Sequence, residues 1–144
     1  MSAFVLDASV TMSWLLGDAR PADRKYSETA LDAMRNADCV ARVPVTWALE
    51  ISNVVARAEA RGFVEEAQGE AFLEMLGSIA IQPDDATSGR ALTDTLHLAR
   101  RYGLSSYDAS YLELALRAGL PLATLDADLS KAARKAGVRR FGPG

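Results

Sequence analysis

Short, largely apolar runs that alternate with longer helical patterns constrain the fold of this chain more than any other feature. The runs predict five strands, at residues 2–6, 39–43, 79–83, 120–125 and 138–141. The segments around them predict helices over residues 9–16, 23–36, 45–61, 64–76, 87–102, 105–118 and 129–135. Short apolar strands separated by helices are typical of parallel sheets covered on both faces. We therefore predict an α/β protein, a three-layer α/β/α sandwich with a central, mainly parallel sheet.

Two of the predicted helices carry a clear inward face. The helix at 45–61 has apolar residues at helical spacing, namely Trp47, Ile51, Val54, Val55 and Ala58. In the helix at 87–102, Leu92, Leu96 and Ala99 are predicted to point inward. Both faces are expected to pack against the sheet.

Length and composition fit one globular domain over residues 1–144. Hydrophobic residues make up 49% of the chain and charged residues 24%, which is ordinary for a folded protein. No apolar run approaches the roughly 20 residues needed to cross a bilayer, and the N-terminus lacks the positive region of a signal peptide. The lone cysteine, Cys39, excludes an internal disulfide and a thiolate metal cluster. We therefore expect a cytoplasmic protein.

Two of the predicted strands end on an aspartate, Asp7 after the first and Asp126 after the fourth. Strand interiors disfavour aspartate, and a carboxylate is costly to bury without a partner. In parallel sheets, ligands bind at the carboxyl ends of the strands, so both carboxylates belong to the edge where ligands bind. The alternative for Asp7 is a capping role at the helix that begins at Ala8.

Glu50 and Asp108 are two further candidate acids, and each also has an ordinary structural explanation. Glu50 borders the inward face of its helix, and Asn53 and Arg57 continue a polar edge from it. It is either a site residue or a surface acid that pairs with Arg57 or another base. Asp108 lies three residues after Ser105, where it would complete a capping box.

As a set, these four acids indicate a metal site. Carboxylates that converge at one sheet edge repel one another unless a cation balances them. Ligation by oxygen alone selects hard divalent ions such as Mg²⁺ or Mn²⁺. Ser9 and Thr124 are placed to orient the ligands. Asp128 is either a fifth acid at the rim or the cap of the helix that begins at Leu129, and the cap is the simpler interpretation.

Other chemistries lack the residues they need. The one histidine, His97, has no serine or cysteine motif around it, and no glycine-rich phosphate-binding loop occurs. Ser9 stands where a phosphoaspartyl phosphatase would have a second aspartate. A metal-activated water needs no histidine base, so metal-dependent hydrolysis of a phosphodiester remains.

Charge is distributed unevenly along the chain. Residues 62–99 hold seven acids and one base, whereas residues 129–144 hold no acids and five bases: Lys131, Arg134, Lys135, Arg139 and Arg140. These stretches are either two solvated faces of opposite sign or, at the basic end, a surface that follows phosphates.

Four segments of this chain resemble PIN-domain nucleases, and more specifically the VapC-type toxins of bacterial and archaeal toxin–antitoxin pairs. They are LDASV (6–10), PVTWALEISNVV (44–55), LSSYDASYLELALRAGLPLATLD (104–126) and LSKAARKAGV (129–138). In this resemblance the acidic quartet of the family corresponds to Asp7, Glu50, Asp108 and Asp126. Thr124 corresponds to the hydroxyl residue that precedes the last aspartate in the family, and Asn53 fits the E-x-x-N pattern of the family. The resemblance implies a PIN-like fold and a Mg²⁺-dependent endoribonuclease that is held inactive by a cognate antitoxin and is usually a homodimer.

Other functions stay open at this point. A PIN nuclease that processes RNA outside a toxin pair, a non-catalytic binding module and a small-molecule phosphohydrolase are the alternatives. The chain also has more apolar residues at 45–76 than one short sheet can cover: Trp47, Val54, Val55, Phe63, Phe72, Leu73, Met75 and Leu76. Either a second copy or an antitoxin helix covers part of this surface, or these residues finish the core.

Overall fold

A parallel sheet of four strands lies at the centre of the described chain, residues 2–17 and 20–143 of a computed structural model. The strands are β1 (Ser2–Leu6), β2 (Cys39–Val43), β3 (Ile81–Pro83) and β4 (Leu122–Ala123). Their order across the sheet is β3-β2-β1-β4, and every pairing is parallel. β1 is therefore central, and Phe4, Val5 and Leu6 within it are buried.

The helices fall close to their predicted positions. They are α1 (Ala8–Leu16), α2 (Pro21–Met34), α3 (Trp47–Ala60), α4 (Glu66–Gly77), α5 (Thr87–Arg90), α6 (Leu96–Tyr102), α7 (Ser106–Ala118) and α8 (Ala127–Ala136). Helices α1–α4 contact one another, and so do α5–α7 through the turn between α5 and α6. Given this strand order, right-handed crossovers put the two groups on opposite faces of the sheet. The predicted three-layer α/β/α sandwich is confirmed.

The predicted fifth strand at 138–141 is wrong. Only one isolated bridge forms there, between Arg140 and Leu122 of β4. β4 is two residues long, so it offers this segment too few backbone groups for a ladder. Two backbone hydrogen bonds with Leu122 hold the segment together with side-chain contacts. Phe141 stacks on Phe4 with 4.0 Å between ring centroids, and the Tyr26 hydroxyl donates to the Phe141 carbonyl at 2.9 Å.

The inward face predicted for residues 87–102 is also partly wrong. Leu92 is 85% exposed, whereas Thr95 is buried at 3% exposure. A π-helical turn at Ala91–Thr95 joins α5 to α6 and adds a residue to the turn, which rotates the side chains away from a regular helical face. In α3, by contrast, Trp47, Ile51, Val55 and Ala58 are buried as predicted, and Val54 is half-buried.

None of the helices in the described ranges combines the length and the apolar character that a membrane span requires.

Candidate active site

Asp7 directly follows the central strand β1 and is buried at 4% exposure. It stands at the N-cap position of α1, but its side chain makes no capping hydrogen bond. Two hydroxyls donate to its Oδ2 instead, one from Ser9 and one from Thr124, the latter at 2.8 Å. The capping alternative is therefore wrong for Asp7, whose carboxylate is oriented by hydroxyls rather than by the start of α1.

Both hydroxyls are themselves fixed by the segment that follows β4. The backbone N–H of Leu125 donates to Ser9 Oγ at 2.9 Å, and that of Asp126 donates to Thr124 Oγ1 at 3.0 Å. The orientation of Asp7 thus depends on two neighbouring strand ends.

Glu50 lies in the first turn of α3 and is half-buried. Its Oε1 accepts a hydrogen bond from the Tyr111 hydroxyl of α7 at 3.0 Å. Arg57 does not pair with it: its Nε donates to Asn53 Oδ1 at 3.4 Å on the exposed side of α3. The surface-pair alternative therefore fails for Glu50, while the predicted site role of Asn53 stays a prediction.

Asp108 lies in the first turn of α7, and Asp126 is the N-cap residue of α8. Ser105 caps α7, with its Oγ accepting from the Asp108 N–H at 3.1 Å. Asp126 caps α8, with its Oδ1 accepting from the Leu129 N–H at 2.8 Å. The interpretation of Asp128 as the cap is wrong, because α8 begins two residues before Leu129 and Asp128 lies exposed in its first turn.

The four acids affect one another through their charges. Burial raises the pKa of Asp7, and the charge of Asp126 adds to that, against the Ser9 and Thr124 hydrogen bonds. Burial also raises the pKa of Glu50, to about 7; the Tyr111 hydrogen bond opposes this, and the charges of Asp7 and Asp108 add to it. The pKa of Asp108 is raised by burial and then by Asp7 and Asp126. These carboxylates are close enough to repel one another.

The donor types fit a hard divalent ion, although the side chains do not form a ready coordination shell. Within residues 2–17 and 20–143, no group of three or more acidic, histidine or cysteine side chains is arranged to hold a metal ion. The ion pairs of the described residues also leave out Asp7, Glu50, Asp108 and Asp126. Their mutual repulsion therefore lacks a protein cation to balance it, which is the condition that a bound cation relieves.

Sequence patterns did not single out Tyr111, which is fully buried. Burial and then the charges of Asp7 and Glu50 raise its pKa, so the hydroxyl keeps its proton and stays a donor. One signal was available: Tyr111 lies three residues after Asp108, on the same face of α7.

A second group of charges was missed as well, and we call it the ionic cluster: the buried acids Asp84 and Glu113 with the half-buried Arg42 and Arg117. Asp84 follows β3 and is 2% exposed. Its Oδ2 accepts from Arg117 at 2.6 Å, and its Oδ1 lies 3.5 Å from Arg42. Arg117 also pairs with Glu113 at 2.8 Å. These acids are balanced by arginines, so the cluster is structural.

Comparisons with known proteins agree with this architecture. A family model described as PIN domain matches residues 4–135. A comparison with curated protein sequences gives no significant match.

Solved structures provide three similar chains. PAE2754 from Pyrobaculum aerophilum has a TM-score of 0.64 and 21% identity, covering 91% of this chain and 86% of that one. VapBC2 from Rickettsia felis, bound to a DNA fragment from their promoter, has a TM-score of 0.64 and 12% identity, covering 96% of both. VapBC-5 from Mycobacterium tuberculosis, a member of the VapBC family of toxin–antitoxin systems, has a TM-score of 0.58 and 25% identity, covering 98% of this chain and 100% of that one. With the family model spanning nearly the whole chain, this protein belongs to the PIN domain family.

Proposed function

We propose that this chain is a metal-dependent endoribonuclease that acts in the cytoplasm as the toxin of a type II toxin–antitoxin system. The observation that carries the proposal is the unbalanced set of Asp7, Glu50, Asp108 and Asp126, which we call the acidic pocket. The pKa values of Asp7, Glu50 and Asp108 are raised, and the ion pairs of the described residues include none of the four acids. Membership of the PIN domain family and the likeness to a VapBC toxin–antitoxin structure support nuclease and toxin roles.

The acidic quartet supplies the ligands of this proposed site. Asp7, Glu50, Asp108 and Asp126 would hold Mg²⁺ or Mn²⁺, since carboxylate oxygens suit hard divalent ions. When bound, such an ion neutralises these charges and lowers the pKa of the water that attacks phosphorus.

The surrounding groups prepare individual carboxylate oxygens for that role. Ser9 and Thr124 hold Oδ2 of Asp7. Tyr111 holds Oε1 of Glu50, and the Leu129 N–H holds Oδ1 of Asp126. The second oxygen of Glu50 and of Asp126 therefore faces no hydrogen-bond donor of the described chain.

The test of this proposal is RNA cleavage by wild type and by Asp7→Asn, in Mg²⁺ and in EDTA. Asp7→Asn should abolish cleavage and leave RNA binding and the fold nearly intact. EDTA should abolish cleavage by the wild type. Asp108→Asn should behave in the same way. Asp85→Asn, at an exposed acid outside the pocket, is the matched control and should cleave normally. Undiminished cleavage by Asp7→Asn, or equal cleavage in EDTA, would overturn the metal-nuclease proposal. Hydrolysis of a small phosphate ester without RNA cleavage would favour a phosphohydrolase.

An apolar groove supports the antitoxin as partner. Of the eight apolar residues predicted to exceed the core, Trp47, Val55 and Phe72 are buried, while Phe63 is 70% and Leu73 41% exposed. Four of the eight, Trp47, Val55, Leu73 and Leu76, line a groove of about 600 Å³ between α3, α4 and β3. Glu59 and Glu70 also line it, so an amphipathic helix with an apolar face and a basic flank would fit.

Light scattering of the isolated chain tests this part of the proposal. If the groove belongs to the antitoxin, Leu73→Glu should abolish capture of the antitoxin encoded beside this gene and leave the mass of the isolated chain unchanged. A homodimer that Leu73→Glu converts to a monomer would assign the groove to a second copy instead.

A further inference from the structure

Three cations surround a small cleft beside the acidic pocket, which we call the basic cleft. Arg101 lies in the last turn of α6, and Lys131 and Lys135 lie one turn apart on α8. The cleft has a volume of about 280 Å³, and Tyr102, Gly103 and Asp128 also line it. A space of this size and composition suits one small anionic group.

These cations are not engaged with acids of the protein. The ion pairs found within residues 2–17 and 20–143 include none of the three, even though Asp128 lies one helical turn from Lys131. The Arg101 guanidinium lies 5.6 Å from the Tyr102 ring centroid, a contact that leaves its N–H groups free to donate. The cleft therefore holds three cations against one acid, Asp128, and keeps a net positive charge.

The basic cleft and the acidic pocket share the start of α8. Asp126 caps this helix from the acidic pocket, and Asp128, Lys131 and Lys135 follow on one face at helical spacing. The charge of Asp128 also acts on Asp108. Lys131 and Lys135 are separated by a rise of about 6 Å along the helix. A single-stranded RNA that lies across the acidic pocket would therefore also pass the basic cleft.

The other C-terminal bases line a different cavity. Arg134, Arg139 and Arg140 surround a space of about 370 Å³ beside Thr124. Arg140 is stacked over the Tyr26 ring at 3.9 Å from its centroid, so one of these cations is already engaged. The five bases that the sequence groups together are thus divided, and Arg101, distant in sequence, joins two of them.

We propose that the basic cleft of Arg101, Lys131 and Lys135 binds a backbone phosphate of single-stranded RNA next to the phosphate that is cleaved. This inference rests on the proposed function and adds a phosphate subsite outside the acidic quartet. Charge contacts of this kind carry no base information, so the subsite contributes to affinity for every RNA sequence.

The test uses a fluorescent single-stranded RNA of twelve nucleotides and measures binding in EDTA, where the proposed cleavage is off. Lys131→Ala/Lys135→Ala should weaken binding about tenfold at low salt and flatten its salt dependence, because each phosphate that the protein no longer neutralises lowers the log–log salt slope by about 0.7. The matched control, Arg134→Ala/Arg139→Ala, removes the same charge and should change affinity less than about threefold. Arg101→Ala should weaken RNA binding and flatten its salt dependence as the Lys131→Ala/Lys135→Ala variant does. Arg100→Ala should bind RNA like the wild type.

Equal losses in both double variants would overturn the proposal, since they would reflect net charge alone. So would absence of RNA binding by the wild type. Displacement of the RNA by polyglutamate at matched charge would favour an acidic protein segment as the occupant. A wild type that binds RNA with the predicted selectivity among variants, yet never cleaves it in Mg²⁺, would refute the nuclease and leave the phosphate subsite standing.

Discussion

Asp7 and Asp84 occupy equivalent positions relative to their strands and behave in opposite ways. Each directly follows a parallel strand, and the two are 4% and 2% exposed. Burial acts to raise the pKa of both. At Asp84, hydrogen bonds from Arg117 and Thr87 and the charge of Arg117 outweigh burial and hold the pKa below its usual value. At Asp7, the hydrogen bonds from the Ser9 and Thr124 hydroxyls do not outweigh burial, and the pKa stays raised.

This difference shows that neither burial nor position at a strand end identifies a functional acid. What distinguishes the two is the charge of the partners: Asp84 has two guanidinium groups, whereas the neighbours of Asp7 are hydroxyls and further carboxylates. The charges of the ionic cluster are therefore balanced in the absence of any ligand. The repulsion among the acids of the acidic pocket costs stability, which the proposed cation would relieve.

The largest expected effect breaks the ionic cluster. Asp84→Asn should lower the free energy of unfolding by about 3 kcal/mol, because removing one member of a buried ion pair leaves its partners uncompensated. Urea denaturation measures this change. Asp85→Asn, at the exposed neighbour, should change the free energy of unfolding by less than about 0.5 kcal/mol. An equally small effect at Asp84 would mean that the arginines are solvated without it.

The acidic pocket should make the stability of the metal-free protein depend on pH. The folded-state pKa of Glu50, about 7, lies above its reference value of 4.5, so the native state binds the extra proton in this window. The stability of the metal-free protein should therefore fall as the pH rises from about 4.5 to 7, and the raised pKa values of Asp7 and Asp108 act in the same direction.

Glu50→Gln should flatten this slope and make the metal-free protein more stable at pH 8 by about 1 kcal/mol, allowing for solvent screening of a half-buried group. Urea denaturation in EDTA at several pH values is the measurement, with Glu66→Gln as an exposed control. An unchanged slope in Glu50→Gln would show that Glu50 is not repelled by its neighbours.

The smallest expected effect concerns the hydrogen bond that holds Glu50. This bond lowers the pKa of Glu50, so Tyr111→Phe should raise that pKa above about 7 and cost about 1 kcal/mol of stability at pH 8. Carbon-detected NMR of the Glu50 carboxyl in metal-free protein measures the pKa directly. Tyr107→Phe, 63% exposed on the same helix, is the control. An identical Glu50 pKa in both variants would contradict the role assigned to Tyr111.

The fold could largely be predicted because local patterns and global architecture agree. The inward face of α3 and the apolar run of β1 report packing that adjacent residues already encode. The fifth strand and the position of Leu92 could not be predicted in the same way. The first depends on the length of a partner strand, and the second on a π-helical turn, and regular spacing reveals neither.

The acids of the candidate site could be predicted from the sequence, whereas the long-range contacts around them could not. Strand ends and helix starts mark Asp7, Asp126 and Asp108 in the sequence. The Tyr111–Glu50 contact joins residues 61 positions apart, and the pairing of Asp84 with Arg117 joins residues 33 apart. Such contacts depend on how α3, α7 and β3 pack, which no local pattern in a single sequence specifies.

The hydrogen bond from Thr124 to Asp7 spans 117 residues of the chain. During synthesis, Asp7 therefore leaves the ribosome 117 residues before the hydroxyl that orients it. β1 cannot pair with β4 until the chain has reached residue 123, so this edge of β1 stays open until then. For an enzyme proposed to cleave RNA, this order of assembly delays a competent site until Thr124 has been added and β4 has paired with β1.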